Sequence, residues 1–153
     1  MLRPAKRREA SFRIDPYDRA VDGDSAARAW IDAWTRSWQA KDADLLAPVY
    51  ADEVVFRSHP FRDPQAPLEY ARWAYSEEEG TPQVWMGQPL VIGARAAVEW
   101  WALVVENGEP VSLAGTSWLR FDADGRVIDQ HDYWSTAPGH TLPWEGWATS
   151  STR

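Results

Sequence analysis

Asp132, Glu99 and His59 are the side chains in this sequence best suited to move protons. A carboxylate in dry, aromatic surroundings has a raised pKa and serves as general base or acid. Two carboxylates in one dry pocket push their pKa values apart, which divides the roles. A histidine near neutral pH shuttles protons between partners. Each has a plainer alternative. Asp132 would be a solvent-facing strand residue, and Glu99 an outward partner of Arg120 or Arg126. His59 precedes Pro60, where a hydrogen-bonded structural role competes.

The stretch 94–134 must position the two carboxylates. It reads as three antiparallel strands joined by two tight turns. Asn107-Gly108 suits a two-residue type I′ loop, where both central residues need φ > 0. That loop pairs Glu106 with Glu109 and sets Glu99 opposite Thr116. Asp122-Ala123-Asp124-Gly125-Arg126 suits a three-residue loop with a G1 bulge, pairing Asp122 with Arg126 and Thr116 with Asp132. Glu99, Thr116 and Asp132 are thus expected in one row, with backbones of the outer two about 9–10 Å apart. Trp101, Trp118, Gln130 and Trp134 share their face; Trp100, Leu113, Leu119, His131 and Tyr133 take the other. One residue more or less in the second loop would swap the last strand's faces.

The remaining elements cover this sheet. A helix is predicted over 25–39, capped by Asp24, with Ala27, Trp30, Ile31, Trp34 and Trp38 on one apolar stripe. Asp42 caps a short second helix broken by Pro48. A strand up to Pro60 turns Val54, Phe56 and Ser58 to one face. A third helix begins at Pro67, runs into a solvated acidic stretch at Glu77-Glu78-Glu79, and stops at Gly80. One further edge strand spans 84–92, with a bulge at Gly87. Residues 1–23 form a polar tail with a solvated basic cluster at Arg3, Lys6, Arg7 and Arg8; residues 24–134 form one domain; residues 135–153 form a second tail.

The composition narrows the function. The net charge of −7 argues against nucleic acid or an anionic membrane as partner. Without cysteine there is no disulfide, thiolate nucleophile or cysteine-ligated zinc. The three histidines lack metal-ligand spacing, so no metal site is predicted. No apolar run reaches the length of a membrane span, and the chain reads as cytoplasmic. Eleven tryptophans point to aromatic walls round a cavity or interface, with plain core filling as the competing role.

The order helix, short helix, strand, helix, long sheet resembles the nuclear-transport-factor-2-like (cystatin-like α+β) superfamily, and within it the SnoaL-like proteins. The most specific residues are Trp30 and Trp34 on the first helix, Tyr50-Ala51-Asp52-Glu53-Val54, and Phe121-Asp122-Ala123-Asp124-Gly125-Arg126-Val127-Ile128. The resemblance implies an α+β fold in which a cone-shaped, curled mixed β-sheet wraps around N-terminal helices. It implies a pocket for a small apolar molecule, acid–base chemistry without a cofactor (cyclase, isomerase or hydratase type), and a homodimer through the outer sheet face. A non-catalytic binding or assembly module is the alternative.

Asp132-Tyr133-Trp134 is similar to the ending of limonene-type epoxide hydrolases, whose Asp polarises a water. Phe56 and Ser58 take the positions of the Tyr and Asn that hold that water. Glu99 stands where those enzymes carry an Arg, and Trp101 where they carry a second Asp. His59 falls at the place of the ketosteroid isomerase base. Candidate pocket walls are Trp34, Tyr50, Phe56, Ser58 and Trp73 from the first half, and Trp101, Thr116, Trp118 and Trp134 from the sheet. Core packing is the competing role for Trp34 and Tyr50.

Overall fold

A computed structural model describes residues 21–148. The basic cluster at Arg3, Lys6, Arg7 and Arg8 lies outside the described residues. The helix α1 runs Gly23–Ala40. Its cap is Asp22 rather than Asp24: the Asp22 carboxylate accepts from the Ser25 backbone N–H at 3.0 Å. Asp24, within the first turn, instead pairs with Arg28 at 2.8 Å. Ala27, Trp30 and Trp34 are buried along the predicted stripe, with Ile31 and Trp38 packed at its margins. A 3-10 helix, Ala43–Val49, follows with Asp42 as its cap.

The strand β1 is Tyr50–Arg57, and α2 is Pro67–Glu77 with Pro67 in its first turn. Then come β2 (Gln83–Met86), β3 (Leu90–Ile92), β4 (Arg95–Glu106), β5 (Glu109–Phe121) and β6 (Val127–Pro138). The edge strand expected over 84–92 is therefore two strands. The chain leaves the sheet at Gly87, whose N–H reaches the Glu99 carbonyl at 2.8 Å, and rejoins β4 at Leu90.

The sheet order is β1-β6-β5-β4-β2, with β3 also on β4. Among the described residues only β1 and β6 pair in parallel, so the sheet is mixed. It curls round α1 without closing, leaving β1 at one edge and β2 with β3 at the other. Trp30, Leu46, Phe56, Val98 and Val127 fill the space between helices and sheet. Among the described residues no helix is long and apolar enough to cross a membrane.

The first hairpin pairs as its turn dictates. Asn107 and Gly108 take φ of 51° and 76°, Glu106 faces Glu109, and Glu99 faces Thr116. The second hairpin departs from expectation. Phe121 pairs with Val127 as the loop requires, but Arg120 then pairs with Asp129. Ile128 is the extra residue of a β-bulge, and beyond it every partner moves by one. Thr116 therefore faces Tyr133, and Asp132 faces Ser117. With a side-chain period of two, this single bulge turns Gln130, Asp132 and Trp134 to the inner face beside Val98, Trp100 and Ser117. Glu99, Trp101, Thr116 and Trp118, expected on the cavity side, lie on the outer face instead, and Trp100 and Leu119, expected on the outer face, are buried on the inner one.

Two more expectations are corrected. The acidic stretch is not uniformly solvated. The helix α2 stops at Glu77, Glu78 turns to an extended φ/ψ of −96° and 140°, and its side chain is buried. Strand β6 runs on past Trp134 to Pro138, and the following residues pack on the outer face of the sheet. Trp101 donates to the Thr141 carbonyl at 2.9 Å and lies edge to face with Trp144 and Trp147.

Candidate functional site

Asp132 sits in the middle of β6, 7% exposed, in a row with Ser117 on β5 and Val98 on β4. Its carboxylate is held by directed donors. Gln130, two residues earlier on the same face, donates from Nε2 at 3.0 Å. Ser117 also hydrogen-bonds the carboxylate, while its oxygen accepts from Trp100 Nε1 at 3.1 Å.

The orientation of Gln130 is fixed by residues far away in sequence. Its Oε1 accepts from the Tyr50 hydroxyl at 2.6 Å and from Trp30 Nε1 at 3.0 Å. Trp34 Nε1 donates to the Tyr50 oxygen at 2.8 Å. An indole N–H only donates, so Tyr50 must send its proton on to Gln130. The amide then has one arrangement left, with its NH2 toward Asp132. The helix stripe thus does more than fill the core: it aims a donor at the carboxylate. Burial raises the Tyr50 pKa well above that of a free phenol, which keeps that proton in place.

Desolvation pushes the Asp132 pKa up to about 6, against the opposing pull of its Ser117 and Gln130 hydrogen bonds. At neutral pH the group is mostly ionised, with a proton affinity well above that of an ordinary aspartate.

Asp132 opens on a cavity of about 120 Å3 between α1, α2 and the inner face of the sheet. Gly115 shapes it. A Cβ there would lie 2.7 Å from the Trp100 ring and 2.6 Å from Trp134 Cβ, so only glycine lets the Trp100 indole lie across β5 to reach Ser117. Two donors face the Asp132 end. Tyr70 has its pKa pushed up to about 12, by burial first and by the Asp132 charge second. Arg62 holds Ser58 Oγ at 3.1 Å, and its guanidinium lies 5.5 Å from the Trp134 ring centre and 5.8 Å from that of Trp73. At the other end Glu78 accepts from Trp38 Nε1 at 2.9 and 3.0 Å. Burial moves its pKa up to about 7, opposed by the Trp38 hydrogen bond and Lys41 and aided by Glu106.

The residues singled out in the sequence divide sharply. Asp132, Trp34, Trp73 and Trp134 line the cavity. Tyr50 stands one step behind, in the hydrogen-bond relay. Phe56 is fully buried between Tyr50 and Tyr70. Ser58 anchors Arg62 and donates to Gln65 at 3.0 Å. His59 stacks edge to face on Trp134, 5.3 Å between ring centres, outside the cavity lining. Glu99, Trp101, Thr116 and Trp118 are not brought to the cavity, because the bulge at Ile128 turned Asp132 away from their face. The inner positions flanking that row on β4 are Val98 and Trp100.

Arg62, Tyr70, Glu78 and Ser117 escaped sequence reasoning. Ser117 follows at once if the second loop is read one residue longer. Nothing local marks Arg62, which lies in the loop between β1 and α2. Among the described residues, no group of three or more His, Asp and Glu is arranged to hold a metal ion.

Helices packed into a curled mixed sheet, with one carboxylate buried at its centre, define the class. The chain belongs to the SnoaL-like domain family, whose model matches residues 27–130. Three solved structures share the fold. An LEH-like epoxide hydrolase from M. tuberculosis is 18% identical, with a TM-score of 0.60 over 75% of this chain and 86% of that one. The epoxide hydrolase/cyclase-like enzyme SalBIII, described in pyran ring formation in the polyether salinomycin, is 13% identical, with a TM-score of 0.66 over 76% and 98%. A hypothetical protein with a ketosteroid isomerase-like fold from Catenulispora acidiphila, in complex with trimethylamine, is 15% identical, with a TM-score of 0.60 over 69% and 84%. No curated protein matches the chain in sequence. At these identities the structural likeness speaks for the fold.

Proposed function

We propose that the protein is a cofactor-free acid–base enzyme acting on a small, largely apolar organic molecule. The observation that carries this reading is the buried Asp132 carboxylate, held by Gln130 and Ser117 and facing an aromatic-walled cavity. Asp132 takes a proton from a substrate carbon or from a water. Arg62 and Tyr70, on the same cavity, supply a charge and a neutral O–H to an oxygen that gains negative charge as that proton leaves. The arrangement suits enolisation, ring closure or ring opening. The fold of SalBIII and of the LEH-like hydrolase supports this class without naming a substrate.

The test is turnover of a panel of small apolar ketones and epoxides. Deuterium exchange next to the carbonyl and ring opening are followed by NMR and mass spectrometry. Wild type should act on at least one class, with a rate that rises through pH about 6 as Asp132 ionises. Asp132→Asn should be silent. An Asp132 carboxyl that titrates in the ordinary aspartate range, together with no turnover, would remove the reading. The same proposal pairs two copies through the outer sheet face, where Trp118 and Tyr133 are half exposed. Sedimentation equilibrium that finds only monomer would remove that part alone.

A further inference from the structure

The acid–base reading uses the Asp132 end of the cavity and leaves the Glu78 end without a task. That end is aromatic in its walls and acidic at its rim. Trp38 and Trp100 meet at 69° with ring centres 5.8 Å apart. Tyr75 stands near them, its hydroxyl paired with Ser37 at 2.8 Å. Glu78 is 9% exposed, yet it lines the cavity together with Glu77 and Glu106. Its two oxygens share one donor, the Trp38 N–H, so lone pairs remain for a ligand.

The charges packed round Glu78 come from every side. From the end of α1, Lys41 attracts it, with Nζ bonded to the Glu78 carbonyl. From α2 come Tyr75 and Glu77. From β4, Glu106 pairs with its backbone and repels its charge. Glu79, next in the chain, accepts instead from the Gly108 N–H at 2.9 Å. One ammonium thus faces three carboxylates at the rim.

We propose that the Glu78 end receives an organic cation, a protonated amine or quaternary ammonium carried by an otherwise apolar ligand. Indole and phenol rings with a desolvated carboxylate form the environment in which such a cation is best held, and a neutral group of the same shape gains much less there. The inference rests on the reading of the cavity as the ligand site and gives that ligand a direction: nitrogen toward Glu78, reacting oxygen toward Arg62 and Tyr70. A bound cation favours the ionised carboxylate. Binding therefore releases a proton and weakens as pH falls below about 7.

Calorimetric titration with choline and with its neutral carbon isostere, 3,3-dimethylbutan-1-ol, tests this on the intact protein. At about pH 8 choline should bind about tenfold more tightly than the alcohol or better, with the preference shrinking several-fold at about pH 5.5. Glu78→Gln keeps an acceptor for Trp38. It should lose most of the preference while the alcohol's affinity stays put. Equal binding of the two probes to wild type overturns the inference and leaves the cavity reading standing. A preference that ignores both pH and Glu78→Gln overturns it as well. Binding of neither probe overturns the inference and leaves the acid–base reading to the turnover and titration tests.

Discussion

Asp132 and Glu78 are both carboxylates buried on the same cavity, yet they are held in opposite ways. Asp132 sits mid-strand in a regular sheet. Its donors arrive through a relay anchored in the core: Trp34 to Tyr50, Tyr50 to Gln130, Gln130 to Asp132. Glu78 sits where a helix gives way to extended chain, on one indole N–H, with Glu106 pressing on it. The first arrangement fixes a carboxylate in place and orientation, as a reacting group requires. The second leaves lone pairs open and a surplus of negative charge, as a binding group requires. Burial raises both pKa values, so a pKa alone does not separate the two proposed roles. The partners do.

The sharpest way to break this comparison is Asp132→Asn. Turnover should fall by about 100-fold or more, since general acid–base groups contribute on that scale. The same variant should be more stable than wild type at about pH 8. The native state holds the Asp132 proton up to about pH 6, against 3.8 when unfolded. Stability is therefore lost as pH rises through that window, by about 3 kcal/mol once the group is ionised. Urea unfolding should show Asp132→Asn gaining up to that amount at high pH, with the gap closing below about pH 4. A variant less stable than wild type at every pH would show that Asp132 is a structural carboxylate. Glu78→Gln should flatten a second window in the same direction, from 4.5 to about 7.

Gln130→Leu tests the relay. It leaves the Tyr50 hydroxyl buried without its acceptor, leaves the Trp30 N–H only its long 3.4 Å contact with the Tyr50 oxygen, and removes a donor from Asp132. We expect a loss of about 2–3 kcal/mol by urea unfolding, with the Asp132 pKa climbing further above about 6. Carboxyl-carbon NMR reads that pKa, and an unmoved value would mean the relay does not reach the carboxylate. Gly115→Ala should cost about 1–3 kcal/mol by crowding Trp100 and Trp134, and it should change the tryptophan emission. Glu99→Gln anchors the small end. On the outer face it should shift stability by no more than about 0.5 kcal/mol and leave the Asp132 titration alone. A moved titration would return the two carboxylates to one face and break the register drawn from the bulge.

Much of this molecule was written locally. The apolar stripe of α1 needed only helical spacing, and the β4–β5 register needed only Asn107-Gly108, because a two-residue loop leaves one pairing. Phe56 on β1 and Ser58 just past its end shared their buried face by simple alternation. The candidacy of Asp132 was legible too, as a carboxylate among aromatics on a long strand. Its true neighbours were not. The loop Asp122–Arg126 set the first pair correctly, and the bulge at Ile128 then reversed every face beyond it. A bulge is settled by what the strand packs against on both sides. Here β6 lies between β5 and the parallel β1, and its inner residues must meet Trp30 and Tyr50 from the first half of the chain. Glu78 reads as one of three solvated glutamates until α2 ends at Glu77 and Trp38, 40 residues earlier, receives it. Short-range sterics and side-chain periodicity fixed the elements and which residues of β4 and β5 share a face, while packing against the helices decided which of those faces became the inner one. Long-range packing chose which carboxylates lost their water, because desolvation depends on what finally covers a side chain and not on its neighbours in sequence.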